Sequence, residues 1–158
     1  MPARHTVGIV VTASLFALAG CKASAPGNAE AKVATFAKHR IFIQNKSQKN
    51  PLTDTPETQA DGKEAYSHYC AACHGLDGQN TGVPFAAHMS PPVPLLTSPE
   101  VQEYTDGQLK SILDDGIWPS GMPGSKGILS DVELWSIVVY LRHLPPAGSL
   151  GEPEMYQH

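Results

Sequence analysis

Aromatic residues make up only 7% of this 158-residue chain. A core with so few large rings is modest, and a small loop-rich domain of that kind needs a staple from elsewhere. Cysteine is scarce too, with three residues, two of them close together. No second Cys or His pair stands at matching spacing, which argues against a structural zinc site. The helical patterning lacks the βαβ context of a thioredoxin-like redox pair. Basic residues are few beyond residue 50: four, against fourteen acidic ones. A body so acidic excludes nucleic acid as a partner. The one long apolar stretch, "VGIVVTASLFALAG", has 14 residues, too few to span a bilayer comfortably. No internal repeat is present. Glycine and proline, by contrast, number 14 each, so much of the chain is turn and irregular loop.

The apolar stretch has the length of a signal-peptide core and follows a short segment bearing Arg4. It ends in "LAGC", which resembles a bacterial lipobox. That resemblance implies cleavage before Cys21 and a diacylglycerol on its thiol. The other reading is an ordinary secretory signal with an incidental cysteine. Either exports the protein, and neither leaves a membrane-spanning helix in the mature chain. Four segments are therefore expected: a leader at 1–20, a membrane-proximal stem at 21–52, the main domain at 53–146 and a tail at 147–158. The stem from Lys22 to Asn50 holds six Lys or Arg and one acid, for a net charge of +5; the body carries −10. The stem reads either as a solvated linker or as a segment drawn to anionic headgroups beside a lipid anchor. Within it, "KASAPGNAEAK" is a flexible tether, and "TFAKHRIFIQNK" is a short strand or a segment packed on the body.

Three helices are marked at both ends. Thr55 caps the first, with Pro56 at its first position. Gly62 within it costs about 1 kcal/mol relative to alanine. Thr105 and Gln108 have capping-box spacing for the second, which carries Leu109, Ile112 and Leu113 on one face and stops at Gly116. Asp114 and Asp115 sit at the unfavourable end of its dipole. Ser130 and Glu133 box the third, where Leu134, Ile137, Val138 and Leu141 form a face and Pro145 ends the run. A short helix begins at Ser98-Pro99. Leu76 to Thr97 is aperiodic, and a loop that long needs a task.

The stretch "HYCAACHG" supplies the task. C-x-x-C-H reads as a covalent attachment site for c-type haem: Cys70 and Cys73 bond two vinyl groups and His74 faces the iron. A three-residue offset on a helical turn puts both thiols on one side. Gly75 lets the backbone approach the ring closely. A plain disulfide leaves the adjoining histidine unexplained.

From about Gln59 to Leu144 the chain resembles a small bacterial monohaem class I cytochrome c. The matching stretches are "GKEAYSHYCAACHG", "GIWPSGMP" and "LSDVELWSIVVYL". The resemblance implies an all-α fold, three to five helices around one covalent haem c and its iron. It implies that the first helix crosses the last through Gly62, Tyr66, Ile137 and Tyr140. It also implies that Met122 of the G-M-P turn is the sixth ligand and that a proline carbonyl, best matched by Pro84, accepts from the ligand histidine, with Pro91, Pro92 and Pro94 close behind. Met89, Met155 and His88 compete with Met122. His68 and His143 read as surface or haem-edge groups, Trp118 and Trp135 as packing, and Tyr66 and Tyr69 as core.

The expected protein is a one-electron carrier on the periplasmic side of a bacterial membrane, lipid-anchored, without a small-molecule substrate or bond chemistry of its own. Its acidic body favours redox partners with a basic docking face. Three other readings stand beside it: a ligand sensor or peroxidase-like enzyme in which Met122 is displaced, a subunit of a larger oxidase or dehydrogenase complex, and a haem-free binding lipoprotein with a Cys70–Cys73 disulfide.

Overall fold

The computed structural model describes residues 45, 47–117 and 120–157. They belong to one compact unit, 37–158. The leader, Cys21, the tether, nearly all of the 35–46 segment and Trp118 lie outside the described residues.

Helix α1, Pro56–Tyr69, starts as the sequence indicates, with the Thr55 side chain accepting from the Thr58 N–H at 3.2 Å. A single turn, α2, follows at Ala71–His74. The loop after it holds one 3-10 turn, Ala86–His88. Helix α3, Pro99–Gln102, precedes α4, Asp106–Asp115. Both hydrogen bonds of the Thr105–Gln108 capping box form, and Gly116 ends α4 with φ of 72°. Strand β1, Gly116–Ile117, pairs antiparallel with β2, Met122–Pro123. Helix α5, Asp131–Leu141, opens on the Ser130–Glu133 box. The described residues are thus mostly helical, and the small hairpin was not foreseen.

The most extensive helix contact is that of α1 with α5. It depends on Gly62. A methyl group there would overlap the Ser136 carbonyl and come within 2.9 Å of the Tyr140 Cβ. Beside it the rings of Tyr66 and Tyr140 meet at 5.3 Å, and Tyr66, Ile137 and Tyr140 are all buried. Gly62→Ala gains about 1 kcal/mol of helix propensity. Overpacking against backbone costs roughly 1–3 kcal/mol and outweighs it. Gly62→Ala is expected to unfold at a lower denaturant concentration than the wild type, and an unchanged or higher midpoint would show that the crossing tolerates a side chain.

Helix α5 is buried on more than the one face expected, because α1 and α4 cover different sides of it. Every residue from Leu134 to Leu141 is buried. One of the two aspartates that end α4 has its explanation here as well. Lys110, one turn earlier, places its Nζ 2.7 Å from Asp114 and 2.8 Å from Asp131, and 5.5 Å from the centre of the Trp135 ring. Asp114 is therefore neutralised locally.

Contacts with the domain begin before residue 53 and continue after 146. The Asn50 side-chain amide donates to the Trp135 carbonyl, and Leu52 packs on the apolar cluster. In the tail, Gly148 and Tyr156 hydrogen-bond back to the domain and Pro153 is buried. Tyr69, expected in the core, is 55% exposed. It lies on the Gly62 face of α1, two turns on, where the helix has run past the crossing.

Candidate functional site

The site is built around α2. Cys70 breaks α1, its φ being −113°, and its carbonyl accepts from the N–H groups of Cys73 and His74 at 3.1 and 3.0 Å. The Gly75 N–H closes the turn on the Ala71 carbonyl at 2.9 Å. One turn therefore carries both thiols and the imidazole. Cys70 is half-buried, Cys73 is exposed, and both are free. His74 is buried.

Gly75 has φ of +71°, a left-handed conformation that disfavours other residues. A Cβ there would lie 2.8 Å from the Thr81 nitrogen. The close approach that Gly75 permits is thus to the chain's own following loop. That loop is held from below by α1 and α5. The Tyr66 hydroxyl donates to the Gly75 carbonyl at 2.9 Å, and Tyr140 reaches towards the Leu76 carbonyl at 3.5 Å. Burial pushes the Tyr66 phenol far up, so it remains a donor.

The fully buried Asp77 organises the rest of the turn. It accepts from the Thr81 hydroxyl at 2.5 Å, the Gln79 N–H at 2.9 Å and the Gly148 N–H at 2.7 Å. Burial alone would raise its carboxyl, but these donors outweigh burial and hold it below the usual range.

The carbonyl that bears on the His74 ring belongs to Pro94, ten residues beyond the expected Pro84. Burial lowers the pKa of His74, and the Pro94 carbonyl works the other way. Its geometry falls short of a hydrogen bond, so Nδ1 is buried without a partner. The loop explains the substitution of one proline for another. Positive φ at Gly78, Asn80 and Gly82 turns the chain repeatedly. It then comes back alongside itself, with Leu96 N–H on the Gly78 carbonyl at 2.8 Å and the Asn80 side chain on the Val93 carbonyl at 2.9 Å. Residues 93–96 thereby lie beside the turn. Pro84 is exposed and lines a cavity with Asn80, Gly82, Val83, Glu152 and Tyr156.

Met122 is half-buried on β2, opposite Ile117, and packs on the same apolar cluster as Cys70 and Leu76. A short hairpin presents it. Met89 is 38% exposed, and its Cε lies 3.6 Å from where a Cβ on Gly121 would stand. Met155 and His88 are exposed, as are His68 and His143, the last paired with Asp54 at 2.7 Å. Trp135 is core packing.

Two free thiols and a buried imidazole on one turn, with a thioether on the same cluster, fit a covalently held haem. Burial, with the neighbouring Cys73 second, pushes the Cys70 thiol up to about 12. The thiolate is the nucleophile, so Cys70 is nearly inert at neutral pH in the haem-free fold. Iodoacetamide is expected to label Cys73 well before Cys70, as read by peptide mass spectrometry; equal rates would contradict the burial of Cys70.

Asp77 and Tyr156 escaped the sequence reading, and Pro94 stood in it only behind Pro84. A tyrosine one turn before the first cysteine was visible, but not the hydroxyl's acceptor. Asp77-Gly78 was a legible turn signal, while its bond to Gly148 bridges 71 positions.

The family described as cytochrome c oxidase, cbb3-type, subunit III, matches residues 57–141, more than half of the chain. No curated protein matches the chain.

Proposed function

The chain belongs to that cbb3-type subunit III family and carries a c-type cytochrome domain, and we propose that it is a membrane-tethered, single-haem electron carrier. The observation that carries this reading is the single turn Ala71–His74, which holds a buried imidazole with an unpartnered ring nitrogen next to two free cysteines. Cys70 and Cys73 would hold the haem through thioethers, with His74 and Met122 on the iron. Bound there, the haem supplies a one-electron ferrous–ferric couple. The chain's own residues fix the ligands. Tyr66 steadies the backbone after His74, and the Pro94 carbonyl is the acceptor beside the His74 ring for the nitrogen that would not face the iron. The apolar cluster and a thioether ligand favour the ferrous state. The reading is tested by the pyridine haemochrome spectrum of the base-denatured protein together with exposure of the reduced protein to carbon monoxide. A c-type spectrum without carbon monoxide binding is the expected result. No haemochrome would leave a haem-free lipoprotein, and free carbon monoxide binding would turn the reading towards a sensor or peroxidase-like enzyme.

The partner is a redox protein with a basic face. Glu57, Asp61 and Glu64 line the exposed side of α1. Of the body's four cations, Lys110 is buried against two aspartates and Arg142 is bonded to Asp106. The electron-transfer rate of a diffusing carrier falls as salt screens such a field. The family's description favours a second reading, a subunit held permanently in an oxidase complex. Its internal transfer rate would be flat with salt.

We further propose the partition into leader, stem, haem domain and tail, with Cys21 lipidated and the protein on the periplasmic side of a bacterial membrane. No helix among the described residues is long and apolar enough to cross a membrane. Wild-type protein is expected in the membrane fraction, and Cys21→Ser in the soluble fraction unless the basic stem alone retains it. The mass of the mature amino terminus decides the matter: an unmodified Cys21 ends the lipoprotein reading.

A further inference from the structure

We propose that the tail, residues 147–157, is a strap that clamps the turn bearing Cys70, Cys73 and His74, with Asp77 and Tyr156 as positioning residues for that histidine. The family match ends at residue 141, and among the described residues the apolar cluster has no member beyond Leu144. The tail is therefore not needed to complete the core. It nevertheless returns to the site at both of its ends.

The first attachment is the Gly148 N–H on Asp77, three residues after His74. The second is the Tyr156 hydroxyl, which donates to the Ala72 carbonyl at 2.8 Å, between the two cysteines. Between them Pro153 is buried and Glu152 packs against Gly82. The Tyr156 ring meets Phe85 edge-on at 6.2 Å. The tail is itself ordered by a 3-10 turn, Glu154–Tyr156, and by the Gln157 side chain on the Glu152 carbonyl at 2.9 Å.

The second bond falls where the turn most needs it. A helix of four residues is too short to persist without outside support. The Cys70 and Ala71 carbonyls are used within the turn, by Cys73, His74 and Gly75. The Ala72 carbonyl is among the last of the helix and has no successor to accept from. Tyr156 supplies that donor. Two tyrosine hydroxyls thus hold the carbonyl end of the turn, Tyr66 from α1 on Gly75 and Tyr156 from the tail on Ala72. Asp77 ties the following loop to the same strap. Without the strap, Ala72 must bond to water and the histidine side of the site is wetter. A wetter site favours the charged ferric form, so the potential falls.

The positioning role rests on the haem reading above, while the clamp itself does not. The test uses the full chain with Tyr156→Phe, which removes only the hydroxyl, a truncation after Ala147, and Ser149→Ala, at an exposed tail position, as a control that leaves both attachments intact. Amide hydrogen exchange at Cys73, His74 and Gly75 is read in each. Exchange is expected to speed up about three- to tenfold in Tyr156→Phe, the worth of one hydrogen bond, and more in the truncation, with the control unchanged. In the haem-loaded protein the truncation is expected to shift the ferrous-to-ferric ratio about tenfold towards ferric, or ~59 mV for one electron. Unchanged exchange at the turn in both Tyr156→Phe and the truncation would overturn the strap. Faster exchange with an unmoved potential would overturn the positioning role. Absence of haem would count against the haem reading instead, and the exchange data would still decide the clamp.

Discussion

Replacing Cys70 and Cys73 together by alanine is expected to remove every trace of haem from the polypeptide band of a denaturing gel, while wild type keeps its haem stain. Denaturant abolishes packing and any bond that His74 or Met122 would make to iron, but thioethers survive it. Each single variant retains one thioether and is expected to keep a weaker stain. Immunodetection of the band separates loss of haem from loss of protein. The double variant is also expected to be less stable, since a modest core loses its staple. In-gel haem that persists in the double variant would sink covalent attachment through this motif.

The parts of the fold legible in the sequence are those decided within a few residues. Thr105 with Gln108, and Ser130 with Glu133, form their capping boxes because each bond closes inside one turn. Gly62 was legible for a different reason. A residue that costs helix stability in mid-helix asks for a compensating contact, and the contact is the Ser136 backbone. What was hidden depends on distant chain returning to the site. Nothing near Pro94 marks it above Pro84; the choice is made by the left-handed turns at Gly78, Asn80 and Gly82 and by the pairing of 78 with 96. The burial of α5 on several sides was hidden in the same way, because periodicity reports one apolar face and not how many neighbours a helix has. Asp77 shows the limit most plainly. As an exposed turn residue it would be unremarked, yet it is fully buried because donors 2, 4 and 71 positions away converge on it.

Met122→Ala is expected to abolish the weak far-red sulfur-to-iron band of the oxidised protein, lower the midpoint potential and open the iron to carbon monoxide. A thioether favours ferrous iron, so its loss is expected to shift the ferrous-to-ferric ratio by at least tenfold, about 59 mV for one electron. Chain length does not choose between the methionines. Met89 lies 15 residues after His74 and Met122 lies 48 after it, and even 15 extended residues span about 50 Å. Surroundings choose. Met122 is half-buried on the cluster that also receives Cys70, its backbone is tied to Ile117 in the hairpin, and Gly121 before it has φ of +82°. Met89 is more exposed, in the long loop, yet its Cε lies 3.6 Å from where a Cβ on Gly121 would stand, so the two methionines flank one turn. That proximity makes Met89→Ala the necessary companion. It is expected to keep the band and to change the potential little. A band that survives Met122→Ala and vanishes in Met89→Ala would exchange their roles. A wild type that never shows the band and binds carbon monoxide freely would leave the sixth position open, and the protein would then be a sensor or catalyst, with Met122 only packing beside its iron.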